Sequence, residues 1–299
     1  LPANLQLPAR TLGKGSSKRK ADGKMTSPGP RNDLSDVAGL RVGHAGDART
    51  LTGTTVILAD RPCPAACEVA GGGPGTRETD LLDAGRLVQS VDAVVLSGGS
   101  AYGLAAADGV VSELGRQGRG FGLIDRPGVP RTPIVPAAIL YDLANGGDKA
   151  WDGAPPYERL GRAALADALA APPAEAGPST PSGGQRSRQG AVGAGLGARA
   201  GDRRGGLGMA SLRTEDGFTV GALAAVNCFG SVLMPGTQCY WAWPFEIDGE
   251  FGGRRPPDGY ARDPEDWGAA KANPRPGENT TLACVATDAD LTPSECQRL

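Results

Sequence analysis

Histidine is almost missing from this chain: His44 is the only one among 299 residues. Chemistry that pairs an imidazole base with a nucleophile is therefore nearly excluded. A surplus of positive charge is missing as well. Lysine and arginine number 31 against 33 aspartate and glutamate, a formal net charge of −2. Nothing is in place to neutralise a phosphate backbone, which argues against nucleic acid as the main partner. No apolar run approaches the roughly 20 residues that a membrane-spanning helix requires, so no membrane partner is expected. The six cysteines, Cys63, Cys67, Cys228, Cys239, Cys284 and Cys296, contain no Cys-x-x-Cys pair. With the one histidine far from them in sequence, a metal site is not expected. Cys228 and Cys284 lie in apolar runs, where a thiol packs as a small hydrophobe. Such usage fits a reducing, cytoplasmic compartment.

Glycine (47) and proline (25) are plentiful, and apolar residues make up 39%. That combination implies many tight turns between short elements and enough apolar surface for a core. The length allows one large domain or two ordinary ones. Residues 1–30 are polar, and basic around Lys14 to Lys24, without the apolar centre of a secretory signal. A disordered tail is expected there, with Met25 a candidate natural start, and a globular domain over 31–299.

Within that domain short strand-like runs alternate with helical ones. Thr54 to Leu58 and Ala93 to Leu96 read as buried strands. Leu104, Ala107, Val111 and Leu114 fall at helical spacing, which predicts a helix over Tyr102 to Arg116. A second, alanine-rich helix is expected from Tyr157 to Leu169, ended by Pro172-Pro173. Residues 174–189 read as a flexible insertion and 234–279 as loop-rich. Val220 to Val232 is strand-like around Asn227. Thr280 to Thr287 has the composition of a central strand, yet little chain follows it before Leu299. The sequence reads as C-terminally truncated.

Several motifs carry possible chemistry. Gly277-Glu278-Asn279-Thr280-Thr281 stands immediately before the last strand-like run. A threonine that becomes a new N-terminus needs no histidine, because its α-amine, with a pKa near 8, activates its own hydroxyl. The same residues also suit a polar turn entering a strand, or an Asn-x-Thr glycosylation acceptor, which the lack of a signal peptide disfavours. Ser97-Gly98-Gly99-Ser100 joins a strand to a helix, where the backbone N–H groups of Gly98, Gly99 and Ser100 suit an oxyanion or a bound substrate group. Packing alone would equally call for a glycine turn there. Tyr141 and Asn227 each end an apolar run with a polar group, placed either for a buried hydrogen bond or for oxyanion support. Gly71 to Gly75 lacks the Gly-Lys-Ser/Thr ending of a nucleotide loop. Gly193-Ala194-Gly195-Leu196-Gly197-Ala198 matches a dinucleotide pattern but follows loop rather than strand.

Together these pieces resemble the L-aminopeptidase/D-esterase family, which includes β-peptidyl aminopeptidases and nylon-oligomer hydrolases. The likeness runs from Asp36 to the end. It rests on Gly39-Leu40-Arg41-Val42-Gly43-His44, Gly75-Thr76-Arg77-Glu78-Thr79-Asp80, Leu96 to Leu104, Ile139-Leu140-Tyr141-Asp142-Leu143, Val192-Gly193-Ala194-Gly195 and Asn279-Thr280-Thr281. The resemblance implies an α/β fold, a four-layer αββα sandwich. It also implies a precursor cut between Asn279 and Thr280 into an α chain (31–279) and the start of a β chain (280–299). Thr280 would then be the catalytic nucleophile toward small peptide, amide or ester substrates, with Asn227 and Tyr141 in the pocket. No cofactor is implied, and assembly as a homo-oligomer of αβ units is. Two departures stand out. Some members carry a lysine after the Gly-Ala-Gly run, and Asp202 takes its apparent place here. The family also sets acidic or hydroxyl partners beyond the nucleophile, farther on than Leu299. Two other functions are carried forward: an uncut, non-catalytic family member, and a nucleotide-binding protein using Gly193 and Gly195.

Overall fold

The computed structural model describes residues 26–124, 126–151, 153–172, 187–261, 263, 265–271 and 279–299. Nearly all of the expected tail, and most of the insertion at 174–189, lie outside the described residues. The strands, in chain order, are β1 (Ser27–Pro28), β2 (Leu40–Asp47), β3 (Thr52–Cys63), β4 (Thr76–Arg77), β5 (Val91–Ser97) and β6 (Ala137–Ile139). They continue with β7 (Arg199–Ala200), β8 (Arg203–Arg204), β9 (Gly206–Arg213), β10 (Thr219–Asn227) and β11 (Thr280–Thr287). Three α-helices accompany them, α1 (Ala105–Arg116), α2 (Tyr157–Ala170) and the short α3 (Pro293–Cys296).

Two sheets organise these strands. One has five strands in the order β2-β3-β5-β6-β4; the other has four, β1-β9-β10-β11. The central strand β3 shows why they stack. Its Thr and β-branched run is buried over eight consecutive residues, as a strand covered on both faces must be. Val56 and Leu58 pack with Ala93 and Val95 against α1 and α2, while Ile57 points the other way, into a core with Leu207, Leu223 and Leu282 of the second sheet. This is the two-residue alternation of a strand. Each fully buried Leu contributes about 1.5–3 kcal/mol relative to leaving it exposed. The helices sit close together at Gly109 and Gly161, where an added Cβ would lie 2.2 Å from the Glu158 carbonyl oxygen and 1.9 Å from that of Ala106.

The second sheet is covered on one side only among the described residues. Along β9 and β10, Leu207, Met209, Leu223 and Ala225 turn inward, whereas Gly208, Ala210, Leu212 and Ala222 face out. The described layers therefore run helices, sheet, sheet, three of the four in the expected αββα sandwich. Three sequence expectations need adjusting. The helix expected from Tyr102 starts as a 3-10 turn over Ser100–Leu104 and becomes α-helical at Ala105, because Gly99 and Ser100 both have left-handed backbone, φ +92° and +52°. Its core face holds the expected Ala107 and Leu114, with Leu104 and Val111 partly buried against the same cluster, and adds Ala106 and Val110. The strand expected to Val232 stops at Asn227, because its β9 partner ladder ends at Val226 and its β11 ladder at Asn227. Thr280 to Thr287 is indeed a strand, but it pairs only with β10 and is the edge of its sheet among the described residues, not a central strand.

Candidate active site

The β10–β11 register brings the two ends of interest together: Asn227 is directly opposite Thr280. Asn227 is 1% exposed, and its carboxamide is a hub. Its Nδ2 donates to the Tyr141 carbonyl oxygen at 2.9 Å. Its Oδ1 accepts from the Arg199 amide at 3.0 Å and from Asn145 Nδ2 at 3.2 Å. Asn145 Nδ2 also donates to the Gly197 carbonyl oxygen at 2.9 Å. A buried amide bonded in this way is held in one rotamer, since each lost partner would cost about 1–3 kcal/mol.

The network continues into the Gly98–Ser100 turn, though not in the role expected of it. Gly98 N donates to the Gly53 carbonyl oxygen (2.9 Å) and Ser100 N to that of Leu140 (3.0 Å). Gly99 N donates to Asp142 Oδ1 (2.8 Å). All three amides are committed within the fold, so they are not open donors for an oxyanion. The turn is built for close approach instead: a Cβ on Gly98 would lie 2.1 Å from Asp142 Oδ2. Asp142 is fully buried and also accepts from Thr52 Oγ1 at 2.7 Å. Burial raises its carboxyl above the usual carboxylate range, against the opposing pull of the Thr52 and Gly99 bonds. Tyr141 meets Asn227 through its backbone carbonyl, and the residue as a whole is 44% exposed.

A lysine that the motifs did not single out completes the cluster. Lys271 Nζ donates to Asn279 Oδ1 at 2.9 Å, and to Asn227 O and Oδ1 at 3.3 and 3.4 Å. Burial lowers its pKa, helped by the Arg199 guanidinium and opposed by Cys228. The segment carrying it is pinned by backbone bonds from Lys271 N to the Phe229 carbonyl (3.0 Å) and from Asp202 N to that of Ala269 (2.9 Å). Asp202 thus anchors the segment of chain that delivers this lysine. A compositional signal was present: beyond residue 30 the sequence keeps only Lys149 and Lys271, with arginine as every other long cation. Lys149 also reaches inward, donating to the carbonyl oxygens of Thr50 and Leu51, with its pKa lowered by burial.

The remaining candidates are structural. His44 is buried with Nδ1 3.0 Å from Thr55 Oγ1, and Nε2 has no hydrogen-bond partner among the described residues. Burial lowers its pKa to about 4, with the Arg188 guanidinium adding to the shift and Asp167 opposing it, so the ring is neutral near pH 7. Gly193–Gly195 is a three-residue 3-10 turn entered from loop. Cβ atoms on Gly193 and Gly195 would meet Thr55 Oγ1 at 2.2 Å and Leu207 N at 2.4 Å. Among the described residues no strand leads into these glycines, and their surroundings are filled, so they do not form a dinucleotide cradle. Beside the β7–β8 hairpin opens a cavity of about 510 Å³ lined by Arg203, Arg204, Leu233, Tyr240, Phe251 and Arg254, among others. One of its lining residues, Arg204, pairs in the hairpin with Arg199, whose amide bonds Asn227.

Comparison with known proteins places this arrangement. Residues 32–299 match peptidase family S58. An uncharacterised aminopeptidase of Mycobacterium leprae is 40% identical over 282 residues, 90% of this chain and 71% of that protein. One from Mycobacterium bovis is 39% identical over 276 residues, 90% of this chain and 73% of that protein. Among solved structures, a β-aminopeptidase from a Burkholderia species aligns with a TM-score of 0.58 at 23% identity, over 92% of this chain and 67% of that one. An L-aminopeptidase D-Ala-esterase/amidase from Ochrobactrum anthropi, described as a variant of the Ntn hydrolase fold, aligns with a TM-score of 0.56 at 20% identity. That alignment covers 91% of this chain and 67% of the other. At those identities the two structures speak to the fold alone. The match over nearly the whole domain, joined to the shared fold, makes this chain a member of peptidase family S58, the L-aminopeptidase/D-esterase family that its motifs resemble.

Proposed function

We propose that the chain is a precursor that cuts itself between Asn279 and Thr280 and then acts as a cofactor-free N-terminal-nucleophile aminopeptidase. The observation that carries this is the pairing of Thr280, the first residue of β11, with the buried Asn227. In the cut, Thr280 Oγ1 attacks the Asn279 carbonyl carbon, and the hydroxyl proton passes to the departing Thr280 nitrogen. The ester so formed is opened by water, leaving an Asn279 carboxylate and a free Thr280 amine and hydroxyl. In turnover the amine takes the hydroxyl proton as the oxygen attacks a substrate acyl carbon, then delivers it to the leaving amine or alcohol. Water releases the acyl group.

Oxyanion support falls to Asn227, whose Nδ2 keeps a second hydrogen beyond its bond to Tyr141. The exposed Tyr141 lines the approach for substrates with a free amino terminus, as peptides, amides or esters. The mature enzyme assembles as several αβ units in the cytoplasm. Intact-mass measurement of the purified protein should show two chains, the smaller sequencing from Thr-Thr-Leu, and Thr280→Ala should leave one. An uncut wild-type chain that still hydrolyses aminoacyl amides would overturn the mechanism, and an uncut, inactive one would favour a non-catalytic family member.

A further inference from the structure

We infer that Lys271 is a positioning residue for the scission before Thr280, clamping the Asn279 side chain to the end of β10. The inference rests on the cleavage proposed above. One nitrogen bridges the residue whose carbonyl is attacked (Asn279 Oδ1, 2.9 Å) and the residue opposite the attacker (Asn227 O and Oδ1, 3.3 and 3.4 Å). An ammonium has three hydrogens, and here it meets three acceptors. Attack by a neighbouring hydroxyl needs the reacting atoms held about 3–3.5 Å apart and aligned, and a displacement of about 1 Å can cost a factor of about 100. Asn279 is the last residue before β11 and lies outside its ladder. Among the described residues, the bond to Lys271 is the one that fixes its carboxamide.

The ammonium is not what holds its own segment in place. Lys271 N bonds the Phe229 carbonyl, Asp202 N bonds that of Ala269, and the Trp267 ring packs edge-on against Phe229 at 5.4 Å. A Cβ on Gly201, which has φ +60°, would lie 2.2 Å from the Ala269 carbonyl oxygen, so the two segments lie in direct contact. Removing the charged tip therefore leaves backbone anchors intact. In a chain whose other long cations beyond residue 30 are arginines, apart from Lys149, a point donor stands at this position. Lysine directs its bonds from a single nitrogen, which the planar arginine fork cannot do.

The test is a double-mutant cycle on the full chain. Wild type, Lys271→Met, Asn279→Ala and the double variant are refolded from urea, and the appearance of two chains is timed by intact mass. Lys271→Met should slow cleavage by about 10- to 100-fold. The double variant should fall within about twofold of the slower single one, because both changes break one clamp. Multiplying effects, or a Lys271→Met variant that cleaves at the wild-type rate, would overturn the inference while leaving self-cleavage standing. Wild type that never cleaves would overturn both. If Lys271→Met fails to refold, Lys271→Gln takes its place in the cycle and is judged by the same two criteria.

Discussion

Acidification should weaken this fold through its one histidine. His44 titrates at about 4 in the structure against 6.5 for the free side chain, because burial and the Arg188 guanidinium disfavour its charged form. The unfolded chain therefore binds the proton more tightly than the folded one. Between those two values the unfolded state gains protons first, so stability present above pH 6.5 is lost as the pH falls toward 4 and changes no further below it. At about 1.4 kcal/mol per pH unit the whole gap amounts to about 3 kcal/mol, and by pH 4.5 about 2.5 kcal/mol of it should be gone. Urea unfolding followed by tryptophan fluorescence, at pH 7.5 and 4.5, measures the loss. Comparing wild type with His44→Gln cancels the carboxylates, which titrate in both. For a chain of this size the difference should appear as a shift in midpoint of about 1 M urea between the two pH-dependences. Because the chain has a single histidine, the imidazole Hε1 region holds one titrating NMR resonance. A folded-state titration near 6.5, or equal pH-dependence in the two proteins, would refute the argument.

Three further outcomes follow from the geometry. Asp142→Ala strands the Gly99 amide and the Thr52 hydroxyl in a buried site, and should cost about 2–4 kcal/mol by denaturant unfolding. Gly161→Ala drives a methyl into the Ala106 carbonyl oxygen. Despite the better helix propensity of alanine it should destabilise by about 2 kcal/mol, read as a lower melting temperature. Thr280→Ser should keep cleavage at the same bond and Thr281→Ala, altering the exposed neighbour, should be cut as fast as wild type, both followed by mass spectrometry. A shift of the cut to Thr281 would contradict the role given to Thr280.

Four of the strands, β3, β5, β10 and β11, were legible because their signal is local. Thr54 to Leu58, Ala93 to Leu96 and Thr280 to Thr287 carry continuous or alternating apolar runs, and the alanine-rich helix stops at consecutive prolines. The family resemblance was legible for the same reason: its motifs are contiguous in sequence. Asn227 and Thr280 could each be picked out alone, since one ends an apolar run and the other begins one. That they face each other was settled by strand register, which pairs residues some fifty positions apart and leaves no trace in either segment. The Gly98–Ser100 amides looked like free donors in the sequence. Their acceptors, Gly53, Leu140 and Asp142, come from three other stretches of chain, and only folding reveals that they are occupied. Lys271 is the clearest case. Nothing around it in a proline-rich loop marks it, and its position is decided by backbone bonds to Phe229 and, through Ala269, to Asp202. The amino-acid order by itself determined the elements with strong local apolar patterns, the family and the residue types available for chemistry. Tertiary structure decided which of them meet, because hydrogen bonds and burial act across space between residues that the chain keeps far apart.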